Sequence, residues 1–373
     1  HHQPPAQGCR FVVRGNITPS HRPANFKFTW SGYQRSSRAS IMTILVTGGA
    51  GYIGSHMVLA LIEAGERVVV LDNLSTGFPW AVAKGVPLVV GDTGDQALAA
   101  RVIAEHGVTD IVHFAASIVV PDSVSDPLGY YRNNTANSRA LIESAVKGGV
   151  RRFIFSSTAA VYGNPATIPI GEDDPTCPMS PYGSSKLMTE IMLRDAGAAH
   201  GLDYVILRYF NVAGADPQQR TGQSTRGATH LIKVAVETAL GKRAGMDVFG
   251  TDYPTPDGTC IRDYIHVGDL VRAHCDALTY LRAGGRPVTL NCGYGHGFSV
   301  LDVIDTVKRV SGVDFRIDTA ARRPGDPARI VAKSDRIRQT LGWRPQCDDL
   351  ATIVAHALAW ERTCRDRPPS KLR

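Results

Sequence analysis

Thr47-Gly48-Gly49-Ala50-Gly51-Tyr52-Ile53-Gly54 stands between a short apolar run, Ile44-Leu45-Val46, and Ser55-His56-Met57-Val58-Leu59-Ala60-Leu61-Ile62, which reads as a helix closed by Gly65. A strand, a glycine-rich turn and a helix in that order suit a dinucleotide pyrophosphate. Gly48 permits the tight turn, Gly51 removes a side chain where phosphates approach, and Gly54 lets the helix pack close to the sheet. The helix start then offers free N–H groups and the positive end of its dipole to an anion. A second strand, Arg67-Val68-Val69-Val70-Leu71, ends in Asp72, eighteen residues after Gly54. An acid there accepts bonds from a ribose 2′-hydroxyl and repels a 2′-phosphate, so the cofactor read from these residues is NAD rather than NADP.

A formal charge of +7 on 373 residues invites a nucleic-acid or membrane-surface reading, but its location argues against both. Residues 1–41 hold six basic residues (Arg10, Arg14, Arg22, Lys27, Arg35, Arg38) and no acid, which leaves 35 basic against 34 acidic residues in the remainder. That segment is rich in Ser, Pro and Arg and lacks an apolar core. It reads as a disordered leader or tag ahead of Met42, with an organelle transit peptide as the alternative. Seven scattered cysteines without a CxxC pair indicate a reducing, cytoplasmic setting and neither a disulfide framework nor a zinc site. The histidines form no ligand cluster, so no metal is expected, and no apolar run approaches the ~20 residues of a membrane span.

Strand and helix signals then alternate. Pro87–Val90 ends in Gly91-Asp92, a helix runs from Gln96 to His106, and Asp110–Phe114 ends in Ala115-Ala116. A helix from Asn133 to Lys147 leads to Arg152–Phe155 and Ser156-Ser157-Thr158. Near-continuous apolar strands with helical crossovers predict a doubly wound parallel sheet of Rossmann type, covered on both faces. Ligands gather at the carboxyl ends of such strands, where Gly48, Asp72, Asp92, Ala115 and Ser156 to Thr158 all fall. Asp92 is placed to bond an adenine amino group, although a turn cap explains it equally well. Ala115 and Ala116 keep bulk away from the dinucleotide, or simply pack. Leu187, Met188, Ile191 and Met192 suggest an amphipathic helix after Pro181. The expected boundaries are a tail over 1–41 and an NAD-binding domain over 42–211, rejoined by about 263–298. A smaller, interleaved α/β substrate domain takes 212–262 and 299–373.

Tyr182 and Lys186 lie four residues apart and therefore project from one helix face, one turn apart. A free Tyr titrates near 10, too high for a base at neutral pH. An adjacent ammonium and an oxidised nicotinamide both favour tyrosinate. Thr158, or Ser157, can hold the reacting oxygen. In isolation the pair would be a buried aromatic and a solvated lysine; its place after a dinucleotide fold makes it a catalytic candidate.

At these residues the chain resembles the extended short-chain dehydrogenase/reductases and, within them, the UDP-glucose (UDP-galactose) 4-epimerases. The resemblance rests on TGGAGYIGSH at 47–56, DNLSTG at 72–77, HFAA at 113–116, FSSTAAVYG at 155–163, PYGSSK at 181–186, RYFN at 208–211, FGTDYPTPDGTCIRDYIHV at 249–267 and RRPGD at 322–326. It implies an isomerase of carbohydrate (galactose) metabolism that interconverts UDP-galactose and UDP-glucose. Hydride leaves the sugar C4 for tightly held NAD, the 4-keto sugar rotates, and the hydride returns to its other face. Tyr182 would exchange the 4-hydroxyl proton, Thr158 would bond the 4-oxygen and Lys186 would contact the nicotinamide ribose. Tyr52, Ile53, Asn73, Phe114, Asn133, Ser156 and Tyr209 join the expected cofactor contacts. Asn211, His230 and Leu231 are expected beside the substrate, Phe249 near the uracil, Arg262 and Arg323 on the diphosphate, and Asp326 on a ribose hydroxyl. A homodimer formed through helices flanking the sheet is also implied.

Three departures stand out. Ala116 and Ile118 occupy positions where the family often has glycine and a cofactor-gripping lysine, which bears on NAD retention. His230-Leu231 replaces a common Asn-Leu pair. Arg329 falls near the residue associated with sugar size, so N-acetylated sugars are expected to fit poorly if it faces the sugar. A 4,6-dehydratase needs an Asp-Glu pair after the Ser/Thr, and Ala159-Ala160 stand there instead. A 4-epimerase of UDP-glucuronate or a UDP-pentose remains open, whereas a non-catalytic NAD sensor would not need the Tyr/Lys pair, and the intact Ser/Thr, Tyr and Lys set argues against it.

Overall fold

The computed structural model of the protein describes residues 42–323 and 326–364. The leader expected over 1–41 lies outside the described residues. Seven strands form one sheet: β1 (Thr43–Thr47), β2 (Arg67–Asp72), β3 (Leu88–Val90), β4 (Val108–His113), β5 (Arg152–Thr158), β6 (Asp203–Tyr209) and, much later in the chain, β11 (Val288–Cys292). Their spatial order is β11-β6-β5-β4-β1-β2-β3 and every neighbouring pair is parallel.

The two faces are filled by alternate residues of the same strands, as the period of two requires. Ile44, Val46, Val68 and Val70 join one core with Met57, Val58 and Leu61 of α1 (Tyr52–Glu63) and Leu270 and Leu278 of α8 (Val267–Arg282). Leu45, Val69 and Leu71 point the other way. They meet α2 (Gln96–His106), α5 (Asn137–Lys147) and α6 (Pro181–His200) through Leu98, Leu141 and Leu193. Each fully buried side chain of this kind contributes roughly 1.5–3 kcal/mol of transfer free energy, offset by ordering entropy.

Three small sheets complete the fold beyond β6. β7 (Asn211–Ala213) pairs with β10 (Tyr264–His266), and β8 (Met246–Phe249) pairs with β13 (Ile317–Ala320). β9 (Ile261–Arg262) lies between β12 (Phe298–Ser299) and β14 (Arg329–Ile330). Helices α7 (Leu231–Ala239), α9 (Val300–Ser311), α10 (Asp335–Leu341) and α11 (Leu350–Thr363) pack around them, and α9 begins with a reciprocal Ser299–Asp302 capping box.

One local expectation is corrected and another is refined. The helix predicted from Asn133 begins instead as two short helices, α3 (Val120–Ser125) and α4 (Pro127–Tyr130), followed by a π-helical turn over Tyr131–Ala136. Pro121 and Pro127 favour helix starts, and the Asp126 carboxylate accepts the Gly129 N–H at 3.0 Å. The amphipathic helix forms as α6, but its stripe divides: Leu187 and Met192 pack against the core. Met188 and Ile191 are 43% and 45% exposed, whereas Tyr182, Lys186, Glu190 and Leu193 are buried. Among the described residues, no helix is long and apolar enough to cross a membrane and no His/Cys/Asp/Glu group could hold a metal ion.

Candidate active site

From β1 the chain proceeds to β2 and β3 on one side, then returns through β4, β5 and β6 on the other. The loops after β1 and β4 therefore part, and a crevice opens at the carboxyl ends of the strands. The cleft there has a cavity volume of about 240 Å³. It is lined by Gly48, Gly51, Tyr52, Ile53, Gly54, Asp72, Asn73, Asp92, Phe114, Ala115, Ala116, Asn133, Thr158, Tyr182 and Tyr209, all named from the sequence. Asn211 and His230 line it too, together with Ser75, Thr76, Gln223 and Thr225, which sequence reasoning did not single out.

The three glycines of the turn serve different ends. A Cβ on Gly48, whose φ is +70°, would lie 2.7 Å from the Ala115 nitrogen, and one on Gly54 would lie 2.1 Å from the Gly48 carbonyl oxygen. The fold itself demands both. An added Cβ on Gly51 would meet only the Gly48 oxygen, at 3.3 Å, so its smallness keeps the cleft open. Helix α1 starts there with no side-chain cap and no acid in its first turn, leaving its first N–H groups for an anion. This cradle fits the pyrophosphate of NAD. Asp72 is held by N–H groups of Ala50 (2.9 Å) and Leu74 (2.8 Å), with lone pairs to spare for a ribose. Burial pushes its carboxyl upward and the two N–H bonds pull it back. Asp92 does cap a turn, through the Gly94 N–H at 2.8 Å, and also takes bonds from Asn137 and Asn73 at the cleft wall.

On the floor of the cleft Tyr182 and Thr158 both face the cavity. Burial pushes Tyr182 up to about 12, and the Thr158 hydroxyl opposes that without overcoming it. Lys186 does not line the cleft. It is 3% exposed, stands over the Phe155 ring and donates from Nζ to the Ser156 carbonyl oxygen at 2.7 Å. A buried ammonium must find an acceptor, and this carbonyl is at hand. Two of its three protons stay available. Burial pulls Lys186 down to about 7, with the Glu190 carboxylate opposing. Ser156 is likewise behind the wall, its hydroxyl bonded to that of Tyr209.

The remaining expected substrate residues fall into two groups. Asn211, His230 and Leu231 surround a cavity adjoining the main cleft. Phe249, Arg262, Arg323 and Asp326 cluster farther along, on β8, β9 and the loop between β13 and β14. Arg323 stacks on the Phe249 ring at 3.9 Å, and Arg262 Nη2 lies 3.7 Å from Asp326 Oδ1. The groups are joined through the backbone, since the Asn211 N–H donates to the carbonyl of Asp263, next to Arg262, at 3.0 Å. Arg329 is exposed on β14 and lines neither cavity.

Two buried residues escaped sequence reasoning. Asn134, in the π turn, accepts the Ser117 N–H at 2.7 Å and donates to the Ser117 carbonyl (2.9 Å) and the Ser185 hydroxyl (3.1 Å), fixing the cleft wall against α6. Its signal was a run of poor helix formers, Asn133-Asn134-Thr135, inside an apparent helix. Glu190 continues the Tyr182/Lys186 stripe by one more turn and is completely buried.

The sequence model of the NAD dependent epimerase/dehydratase family matches residues 44–293. A UDP-glucose 4-epimerase of Azospirillum brasilense is 59% identical over 320 residues, covering 86% of this chain and 92% of the relative. The crystal structure of UDP-glucose 4-epimerase from Brucella ovis in complex with NAD superimposes with a TM-score of 0.83 at 42% identity, over 85% of this chain and 98% of that one. The enzyme from Bifidobacterium longum in complex with NAD+ and UDP gives 0.83 at 36% identity, over 87% and 99%. With its glycine cradle, buried Tyr182–Thr158 pair and these relatives, the chain belongs to the NAD dependent epimerase/dehydratase family.

Proposed function

We infer that this chain is a UDP-glucose 4-epimerase, an NAD-dependent isomerase that interconverts UDP-galactose and UDP-glucose. The carrying observation is Tyr182 facing the same dinucleotide cleft as Thr158, with Lys186 one turn behind. When bound, NAD supplies reversible hydride exchange with the sugar C4. The protein does the rest. Thr158 holds the 4-oxygen in line with Tyr182, which takes its proton and later returns it. The Lys186 ammonium stabilises the tyrosinate that burial disfavours. Asn211, His230 and Leu231 hold the nucleotide sugar, while Phe249, Arg262, Arg323 and Asp326 take the uridine and diphosphate. Arginine forks suit phosphate oxygens, and for this the Arg262–Asp326 contact must loosen.

The same reading divides the chain into an NAD-binding part, residues 42–211 with 263–298, and a substrate-binding part, residues 212–262 with the segment beyond 299. Support comes from β11, which rejoins the seven-stranded sheet beside β6. We place the protein in a reducing cytoplasm on its free cysteines. A homodimer is proposed through α6, where Met188 and Ile191 leave an exposed apolar stripe; a monomer by sedimentation would remove that part.

The test is incubation with UDP-galactose without added NAD, followed by separation of the sugar nucleotides. UDP-glucose at a stable ratio establishes epimerisation with a retained, recycled cofactor. No product with or without NAD overturns the reading and directs attention to UDP-glucuronate and UDP-xylose.

A further inference from the structure

Residues 182, 186 and 190 are spaced one turn apart and form a single stripe on α6. Each addresses a different one of three consecutive residues at the end of β5. Tyr182 faces the cleft beside Thr158, Lys186 donates to the Ser156 carbonyl at 2.7 Å, and Glu190 accepts from the Ser157 hydroxyl at 2.5 Å. Ser157 lies directly opposite Arg208 in the β5–β6 register. Glu190 spans both, taking Nε of Arg208 at 2.9 Å and Nη2 at 2.6 Å in a two-pronged pair. Arg208 is anchored in turn by the Tyr162 hydroxyl at 2.9 Å, which donates to Asn291 at 2.7 Å.

A fully buried ion pair is weak evidence for stability, because desolvating both charges costs about as much as their attraction returns. Its placement here suggests another use. We propose that Glu190 is a positioning residue for the Tyr182 base: it locks α6 in register against the end of β5 and keeps the Lys186 amine charged. This rests on the epimerase reading above. The Lys186 ammonium is surrounded by the Phe155 face and the Ser156 carbonyl, with neutral His113 reaching it from β4. Tyr130 from α4 and Tyr209 from β6 face Tyr182, and both remain protonated. Glu190 is thus the carboxylate that opposes deprotonation of Lys186, with Arg208 occupying its other flank. If Lys186 loses its proton, tyrosinate loses the ammonium one helical turn away on the same face.

The experiment compares Glu190→Gln, the double variant Glu190→Gln/Arg208→Met and the parent, each as NAD-loaded protein. Glu190→Gln keeps the size of the side chain and removes its charge; the double variant also removes the cation that this orphans. The expected result in both is unchanged bound NAD and a kcat for UDP-galactose lower by about tenfold or more, with KM nearly unaltered. The acidic limb of the pH–rate profile should move to higher pH by roughly one unit. An unshifted profile in folded, NAD-loaded Glu190→Gln overturns the proposal. So does a shift that disappears in the double variant, which would trace the effect to the orphaned Arg208. The titration of Tyr182 itself, read as tyrosinate absorbance of each protein minus its Tyr182→Phe counterpart, separates the two levels of inference. A parent that does not turn over UDP-galactose defeats the epimerase reading, while this titration still rises in Glu190→Gln if the positioning role is right and stays put if it is wrong.

Discussion

Tyr182 and Thr158 face one cleft although they come from different elements, the first turn of α6 and the last residue of β5. Together they fix where a sugar hydroxyl must sit to meet both. Burial holds the Tyr182 proton up to about 12, so the base is dormant until positive charge arrives beside it. Tyr182→Phe is expected to lower kcat by about 10²–10⁴-fold while NAD content stays at parent level. The cofactor spectrum and kcat are measured on the same preparation; loss of both together would point to a structural role.

The same residue makes a pH prediction for the cofactor-free protein. Folded Tyr182 holds its proton more tightly than the unfolded chain, so between 10.0 and about 12 the folded state carries more protons. Stability must fall as pH rises through that window. Tyr182→Phe should flatten this part of the stability curve, as read by urea midpoints across alkaline pH.

Lys186 gives the opposite slope. Its folded pKa lies near 7 against 10.5 unfolded, so the unfolded chain binds more protons between those values and stability rises with pH. Lys186→Met should abolish that rise in cofactor-free protein. In the loaded enzyme it should slow turnover and raise the apparent pKa of the Tyr182 base. An unaltered pH–rate profile would count against the ammonium as the counter-charge.

Gly51 and Gly54 look equivalent in sequence and differ in structure. A methyl at 54 collides with the Gly48 carbonyl, so Gly54→Ala should destabilise the protein by about 1–3 kcal/mol and lose NAD as a consequence. A methyl at 51 meets only the Gly48 oxygen, at 3.3 Å, a tight contact that a shift of a few tenths of an ångström relieves, so Gly51→Ala should lower the melting temperature far less than Gly54→Ala and still weaken NAD binding. Calorimetry and cofactor content on both variants separate the needs of the fold from those of the ligand.

The contrast shows what was legible in the sequence. Patterns that repeat along the chain could be read: apolar strands, a glycine turn, an acid at the end of β2 and a Tyr/Lys pair one turn apart. Consequences of packing could not. Met188 and Ile191 have the hydrophobicity of core residues, and only the chain fold shows that α6 buries Lys186 and Glu190 instead. The π turn at Tyr131–Ala136 was hidden because its residues lie in helical context on both sides. Lys186 was expected at the cleft, but where its amine points depends on the Ser156 carbonyl, a backbone group with no sequence signature.

Arg323 and Arg262 carry the last prediction. Arg323 rests its guanidinium on the Phe249 ring at 3.9 Å with its donors directed by stacking, whereas Arg262 sits beside the partly exposed Asp326. An incoming diphosphate competes with the Asp326 carboxylate for Arg262 and finds Arg323 already oriented. Arg323→Ala should therefore raise KM for UDP-galactose by roughly tenfold or more while kcat falls less, because the contact is made in ground and transition states alike. Asp326→Asn should have a mixed effect: freeing Arg262 favours the diphosphate, and losing the carboxylate removes a ribose acceptor. The two are separated by measuring inhibition with UDP and with inorganic pyrophosphate. Asn at 326 should strengthen pyrophosphate binding relative to UDP, and equal changes for both would remove Asp326 from the ribose.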